Sequence, residues 1–178
     1  MFLGLKPARY LELGLKDSDV GHIVGLLARN AASSVEAFRV CAEPAVETCQ
    51  AVTLLGTFCM KSGELSKAWR LMSAAARTCI DLGYHRMPLG VRGSQNSRKK
   101  WHIFWYVYTY EKGLAFTVGR ASSIPDYDVS TERPRYPDDM PGIPGRTYTA
   151  ILELAMLQGE IQPQLFSAAA SQLPLDTP

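Results

Sequence analysis

The fold class this sequence predicts is all-α: antiparallel helical hairpins packed around a central aromatic-rich helix, with a Pro-rich loop before the last helix. Three observations predict it. No segment alternates apolar and polar residues at period two, as a half-buried strand does. Between residues 64 and 82, Leu65, Ala68, Trp69, Met72, Ala75, Ala76, Cys79 and Ile80 share one helical stripe. Between 101 and 108 stand Trp101, Phe104, Trp105, Tyr106 and Tyr108, four of them at i, i+3, i+4 and i+7. Ile103, Val107 and Tyr110 fill out the other sides, and a helix apolar nearly all round is one with neighbours on every side.

In chain order, residues 1–43 are an N-terminal lead and a weak helix. Residues 1–16 show no period. Asp17-Ser18-Asp19 offers an N-cap before Val20, Ile23, Val24, Leu27 and Ala31, a pattern that Gly21 and Gly25 weaken. Residues 44–130 form the core. Pro44 suits a first helical turn, and Val46, Cys49, Val52, Leu55 and Cys59 carry a helix to Lys61, where Ser62-Gly63 stops it. Glu64 opens the next helix, which ends at Gly83, and so short a turn makes the two an antiparallel hairpin. Ala74, Ala75 and Ala76 permit close approach of a partner helix.

A polar loop over 88–97 leads to the central helix, with Ser97 as its expected cap and Arg98, Lys99 and Lys100 crowding its positive dipole end. After Gly119, Pro125 forbids helix and biases Ile124 to an extended shape. Ile124 is expected in the core, Asp126 and Asp128 facing water or Arg120, and Arg120 on the terminal carbonyls and those carboxylates. Residues 131–147 carry prolines at 134, 137, 141 and 144 and read as an irregular loop. A last helix over 148–170 follows, with Ile151, Leu152, Ala155, Ile161, Leu165 and Phe166 as its apolar face and Pro163 as a kink site. Residues 171–178 are a tail.

The chain's 178 residues suffice for one domain with a real core. Hydrophobic residues at 47% and charged residues at 20% describe a folded chain, and a net charge of +2 argues for neither nucleic acid nor membrane. No apolar run reaches the roughly 18 residues of a spanning helix. Lys6, Arg9 and Glu12 interrupt the N-terminal segment, and no secretory signal is expected. Cys41, Cys49, Cys59 and Cys79 form no CxxC pair and have no histidine at zinc spacing, so neither a disulfide nor a metal site is expected. His22, His85 and His102 are not brought together by any pattern, and no phosphate loop, GxSxG or HExxH occurs. No catalytic residue, cofactor site or enzyme activity is predicted. The 44–83 hairpin has the size of one tetratricopeptide unit, so a stand-alone helical-repeat interaction scaffold is the alternative; its discriminator, a second copy of the pattern, does not occur. An aromatic-lined small-ligand pocket is a further one.

Two stretches, residues 48–86 and 97–129, together resemble the fungal-specific transcription factor domain, the regulatory middle region of fungal binuclear zinc-cluster activators of the xylanolytic-activator type. The family's "AW" helix ending in "LGLHR" is similar to Ala68-Trp69 and Leu82-Gly83-Tyr84-His85-Arg86 here. Its basic pair, "FW" helix, "GRP", Pro step and "D-x-D" are similar to Arg98-Lys99, Phe104-Trp105, Gly119-Arg120, Ile124-Pro125 and Asp126/Asp128. Ala121 replaces the family's proline, which loosens the loop and keeps the arginine. The last helix is similar as well, so the likeness covers residues 44–170.

The resemblance implies a non-catalytic regulatory domain of a nuclear transcription factor. Trp69, Gly83, His85, Arg86, Phe104, Trp105, Gly119, Arg120, Ile124, Pro125, Asp126 and Asp128 would be its signature residues, mainly structural in role. Its implied partners are other domains of the factor, the transcription machinery and a small-molecule inducer. DNA would be reached only through a six-cysteine zinc cluster, where the zinc would also reside. This sequence contains no such cluster, so the chain is expected to be a fragment or a cluster-less relative.

Overall fold

Among the described residues, the core is built from four helices: α1 (Val46–Lys61), α2 (Leu65–Asp81), α3 (Gln95–Thr117) and α4 (Gly145–Ile161). The computed structural model describes residues 14, 16, 21–27, 29, 30, 33, 44–88, 94–134 and 145–172. The proposed cap at 17–19, Cys41, most of the N-terminal lead, the middle of the Pro-rich loop and the end of the tail lie outside the described residues. A helix over 21–27 matches the weak pattern there, and no strand occurs among the described residues.

The α1–α2 hairpin follows from its turn. Gly63 adopts φ +79°, Gly63 N–H donates to Met60 O at 3.2 Å, and Glu64 N–H donates to Cys59 O at 2.9 Å. These bonds satisfy the last carbonyls of α1, and the left-handed residue they need is one that glycine provides without steric cost. Gly56 lets the hairpin close: a Cβ there would lie 3.2 Å from Met72 Cε and 3.3 Å from Leu71 Cβ.

The aromatic helix α3 packs on α2 along one side and on α4 along another, and touches α1 only slightly. Trp101, Phe104, Trp105, Val107 and Tyr108 are buried with Cys49, Val52, Ala75, Ala76 and Cys79 of the hairpin and Leu152 of α4. A second cluster joins Leu55 and Cys59 to Ala68, Met72 and Leu114. Burying each large side chain contributes about 1.5–3 kcal/mol against conformational entropy. Ring packing adds to this: Trp105 meets Phe104 and Tyr108 edge-on at centroid distances of 5.1 and 5.2 Å.

Element ends differ from expectation in two places. The cap of α3 is Ser94, whose Oγ accepts from Ser97 N–H at 3.1 Å, so the helix starts ahead of the expected Ser97 cap. At the other end of the chain, α4 begins at Gly145 instead of 148 and ends at Ile161. Pro163 has no N–H and its ring crowds the carbonyl of Gly159, so the chain leaves α geometry and makes a wide π turn over Gln162–Phe166. Leu152 and Ala155 are buried as expected, whereas Leu165 and Phe166 are each 66% exposed because that turn rotates them off the core face.

Candidate functional site

Two adjacent charges sit in the middle of the apolar helix α3, Glu111 fully buried and Lys112 only 3% exposed. Consecutive helical residues point about 100° apart, so the two side chains serve different neighbours. Glu111 Oε1 accepts from Ser73 Oγ of α2 at 3.3 Å and from Ser123 N–H at 2.8 Å, while Oε2 accepts from Ser122 Oγ at 2.7 Å. Lys112 Nζ donates to Ile124 O and to Asp126 Oδ2, both at 2.8 Å. Each buried charge thereby has the partners that make its desolvation tolerable.

These bonds hold the segment that leaves α3. Gly119 turns it at φ +66°, and Arg120 N–H donates to Ala115 O at 2.8 Å, closing the helix end. Ile124 enters the core at 1% exposure, as the sequence predicts. Tyr108 Oη donates to Asp126 Oδ1 at 2.6 Å. Burial, and then this bond to Asp126, push the Tyr108 hydroxyl far above its ordinary value, so it remains a donor.

The segment continues back along α3 toward the helix start. Trp105 Nε1 and Trp101 Nε1 both donate to Glu132 O, at 2.9 and 2.7 Å. On its other flank it pairs with the turn after α2. Ser130 and Thr131 N–H donate to His85 O at 2.9 and 3.1 Å, and Thr131 Oγ1 donates to Tyr84 O at 2.6 Å and accepts from Met87 N–H at 2.9 Å. Asp128 is bonded to Arg86, which holds its carboxyl below the usual range, and His85 Nε2 lies 3.4 Å from its other oxygen. Pro125 and the single turn Asp126–Asp128 between these anchors leave Tyr127 94% exposed.

The signature residues thus divide. His85, Arg86, Trp105, Gly119, Ile124, Pro125, Asp126 and Asp128 meet along this segment, Gly83 at φ +73° turns the chain into Tyr84–Arg86, and Phe104 lies in the core. Trp69 and Arg120 stand apart, the guanidinium 5.8 Å from the centre of the indole. The expected bridge from Arg120 to Asp126 and Asp128 is replaced by Lys112 and Arg86, because the segment reverses direction and carries both carboxylates away from the helix end. Glu111 and Lys112 were not singled out by sequence, although two charges inside an otherwise apolar helix are a usable signal for buried pairing.

Chemically the arrangement is a set of hydrogen bonds and ion pairs that join the segment to α3 and to the turn after α2. The cavity bounded by Lys112, Phe116, Arg120, Ser122, Gln158 and Gln162 measures about 20 Å³, space for about one water and far below a small-molecule pocket. Among the described residues no three His, Cys, Asp or Glu side chains are grouped to hold a metal, and no helix is long and apolar enough to cross a membrane.

Comparison with known proteins agrees with the signature. Residues 29–144 match the model of the fungal specific transcription factor domain. The chain is 25% identical over 177 residues to the negative regulator of pleiotropic drug resistance STB5 of Candida glabrata, covering 97% of this chain and 17% of that protein. It is 25% identical over 133 residues to protein STB5 of Saccharomyces cerevisiae, covering 71% and 18%. It is 26% identical over 161 residues to the positive regulator of purine utilization of Emericella nidulans, covering 66% and 15%. The chain therefore spans less than a fifth of the length of these relatives. No solved structure matches it. With a family match over more than half of its residues and an all-helical fold built on the signature, the chain belongs to the fungal specific transcription factor domain family and is a regulatory domain of a fungal transcription factor.

Proposed function

We propose that this domain acts in the nucleus without catalysis and without contacting DNA itself, by docking to other domains of a transcription factor or to the transcription machinery. An inducer of small-molecule size is the effector class that would bias the docking. The main support is that the polar side chains of the signature segment are spent on one another: Lys112 on Ile124 and Asp126, Glu111 on Ser122 and Ser123, Arg86 on Asp128. A helical core held in this way has discrete packings and not a continuum, so a partner with different affinity for two of them shifts the balance. DNA contact and zinc belong, on this reading, to a separate module.

The test places the domain between a heterologous DNA-binding module and an activation segment in a fungal reporter strain. Output below that of the same fusion lacking the domain, and raised again by Asp126→Ala, is the expected result. Tight sequence-specific DNA binding by the purified 178 residues, or reporter output indifferent to the domain, would overturn the proposal.

A further inference from the structure

The antiparallel register of α1 and α2 sets Cys49, in the first turn of α1, against Cys79, in the last turn of α2. Their sulfurs are 3.4 Å apart, and Cys49 Sγ also lies 3.7 Å from Ala75 O. Both side chains are fully buried. Cys59, the third cysteine of the hairpin, sits at the far end of α1 in the other core cluster, beside Ala68 and Met72. A disulfide needs its sulfurs about 2.05 Å apart, so the pair has only about 1.4 Å to close, and small neighbours such as Ala75 and Ala76 leave the backbones near each other. The hydrogen bond between the two sulfurs holds the Cys49 thiol below its ordinary value and, with burial, pushes that of Cys79 up.

Access comes from the end of the helix. The N-cap of α1 is Ala45, which supplies no side-chain bond to the free N–H groups of the first turn. Cys49 N–H donates to Ala45 O at 3.0 Å and the thiol is fully buried, so an oxidant meets it when this first turn, which has no side-chain cap, opens. We propose that Cys49 and Cys79 are an oxidisable dithiol, which a hydroperoxide converts to an intrachain disulfide that covalently braces the α1–α2 hairpin.

In the first step the Cys49 thiolate attacks the peroxide oxygen, giving a sulfenic acid and releasing water or the corresponding alcohol. Cys79 then attacks the Cys49 sulfur, its proton passing to the departing hydroxide, which forms the S–S bond and releases water. Two thiols lose two electrons and two protons, and the hydroperoxide is reduced. The resulting loop of about 30 residues restricts the unfolded chain enough to raise Tm by about 10 °C.

The experiment exposes the reduced, folded 178-residue chain to hydrogen peroxide, quenches it with an alkylating reagent, and maps peptides without reduction. The expected product is a linked pair of peptides containing Cys49 and Cys79, reversed by dithiothreitol and accompanied by the rise in Tm. A control chain carrying Cys59→Ala forms the same link. Oxidation of other cysteines with no Cys49–Cys79 peptide overturns the proposal, and so does a link that forms only in denaturant.

Discussion

Lys112 and Asp126 offer an asymmetry that can be measured. Lys112→Met removes the cation that ties α3 to Asp126 and to the Ile124 carbonyl, while keeping the side chain's apolar bulk in place. Hydrogen bonds to charged groups contribute about 1.5–3 kcal/mol each in mutational series. Asp126 is 41% exposed and keeps the Tyr108 hydroxyl, so water and that donor compensate it after the lysine is lost. The net cost of Lys112→Met is therefore set at the lower end, about 2 kcal/mol, or about 4–8 °C in Tm for a chain of this size. Asp126→Ala is the more damaging change. It leaves the ammonium, 3% exposed, with the Ile124 carbonyl and the face of the Tyr108 ring, and it removes the acceptor of the Tyr108 hydroxyl as well. Stranding a buried charge costs about 3–5 kcal/mol, and the exposure of the aspartate side brings the expectation to about 3–4 kcal/mol. Urea unfolding followed by circular dichroism, with an unchanged m value, measures both. Equal losses, or a larger loss for Lys112→Met, would refute the view that the buried lysine is the member that depends on its partner.

Three further outcomes are expected. Gly159→Ala would raise helix propensity by up to about 1 kcal/mol, yet its Cβ would lie 2.6 Å from Asp126 Oδ2 and 3.1 Å from Lys112 Nζ; a net destabilisation in the same unfolding assay is expected, and it should shrink in the Asp126→Ala background. Glu111→Leu takes the acceptor from the Ser73 hydroxyl and the Ser123 N–H, leaving Ser122 its contact with Ile124, and is expected to cost about 2–4 kcal/mol against a smaller loss for Glu111→Gln, read as the shift of the denaturation midpoint. The carboxyl of Asp128 is depressed in the folded state by its bond to Arg86, so its contribution is present above the ordinary carboxylate value and is lost as pH falls below about 4. The stability difference between the parent chain and Asp128→Asn should accordingly vanish in acid, as followed by thermal melts across pH.

The parts legible in the sequence were those governed by period. The stripe of α2 and the four aromatic residues of α3 repeat at helical spacing, and Ile124 before Pro125 is an apolar residue with no helix to join, so each has one place to go. Hydrogen-bond partners depend on direction, which no local pattern encodes. Arg120 is close to Asp126 and Asp128 in sequence, but the segment folds back along α3, and the cations they meet are 14 and 42 residues away, Lys112 and Arg86. Helix ends were legible only approximately, since Ser94 and Ser97 are equally good caps by type and the choice follows from where the chain arrives. The burial of Glu111 and Lys112 is not legible from residue type, because a charge in a helix is ordinarily a solvated one.

The antiparallel run of residues 119–132 beside α3 gives that segment a fixed length. Surface connections ordinarily absorb added or deleted residues at little cost. Here Ser122 and Ser123 are matched to Glu111, Ile124 and Asp126 to Lys112, and Glu132 to Trp105 and Trp101. One extra residue between 124 and 131 would slip every later match by a position, setting the wrong groups against Arg86, His85 and the two indoles. The segment has no slack. Its residue count is as much a part of the fold as the aromatic residues it covers.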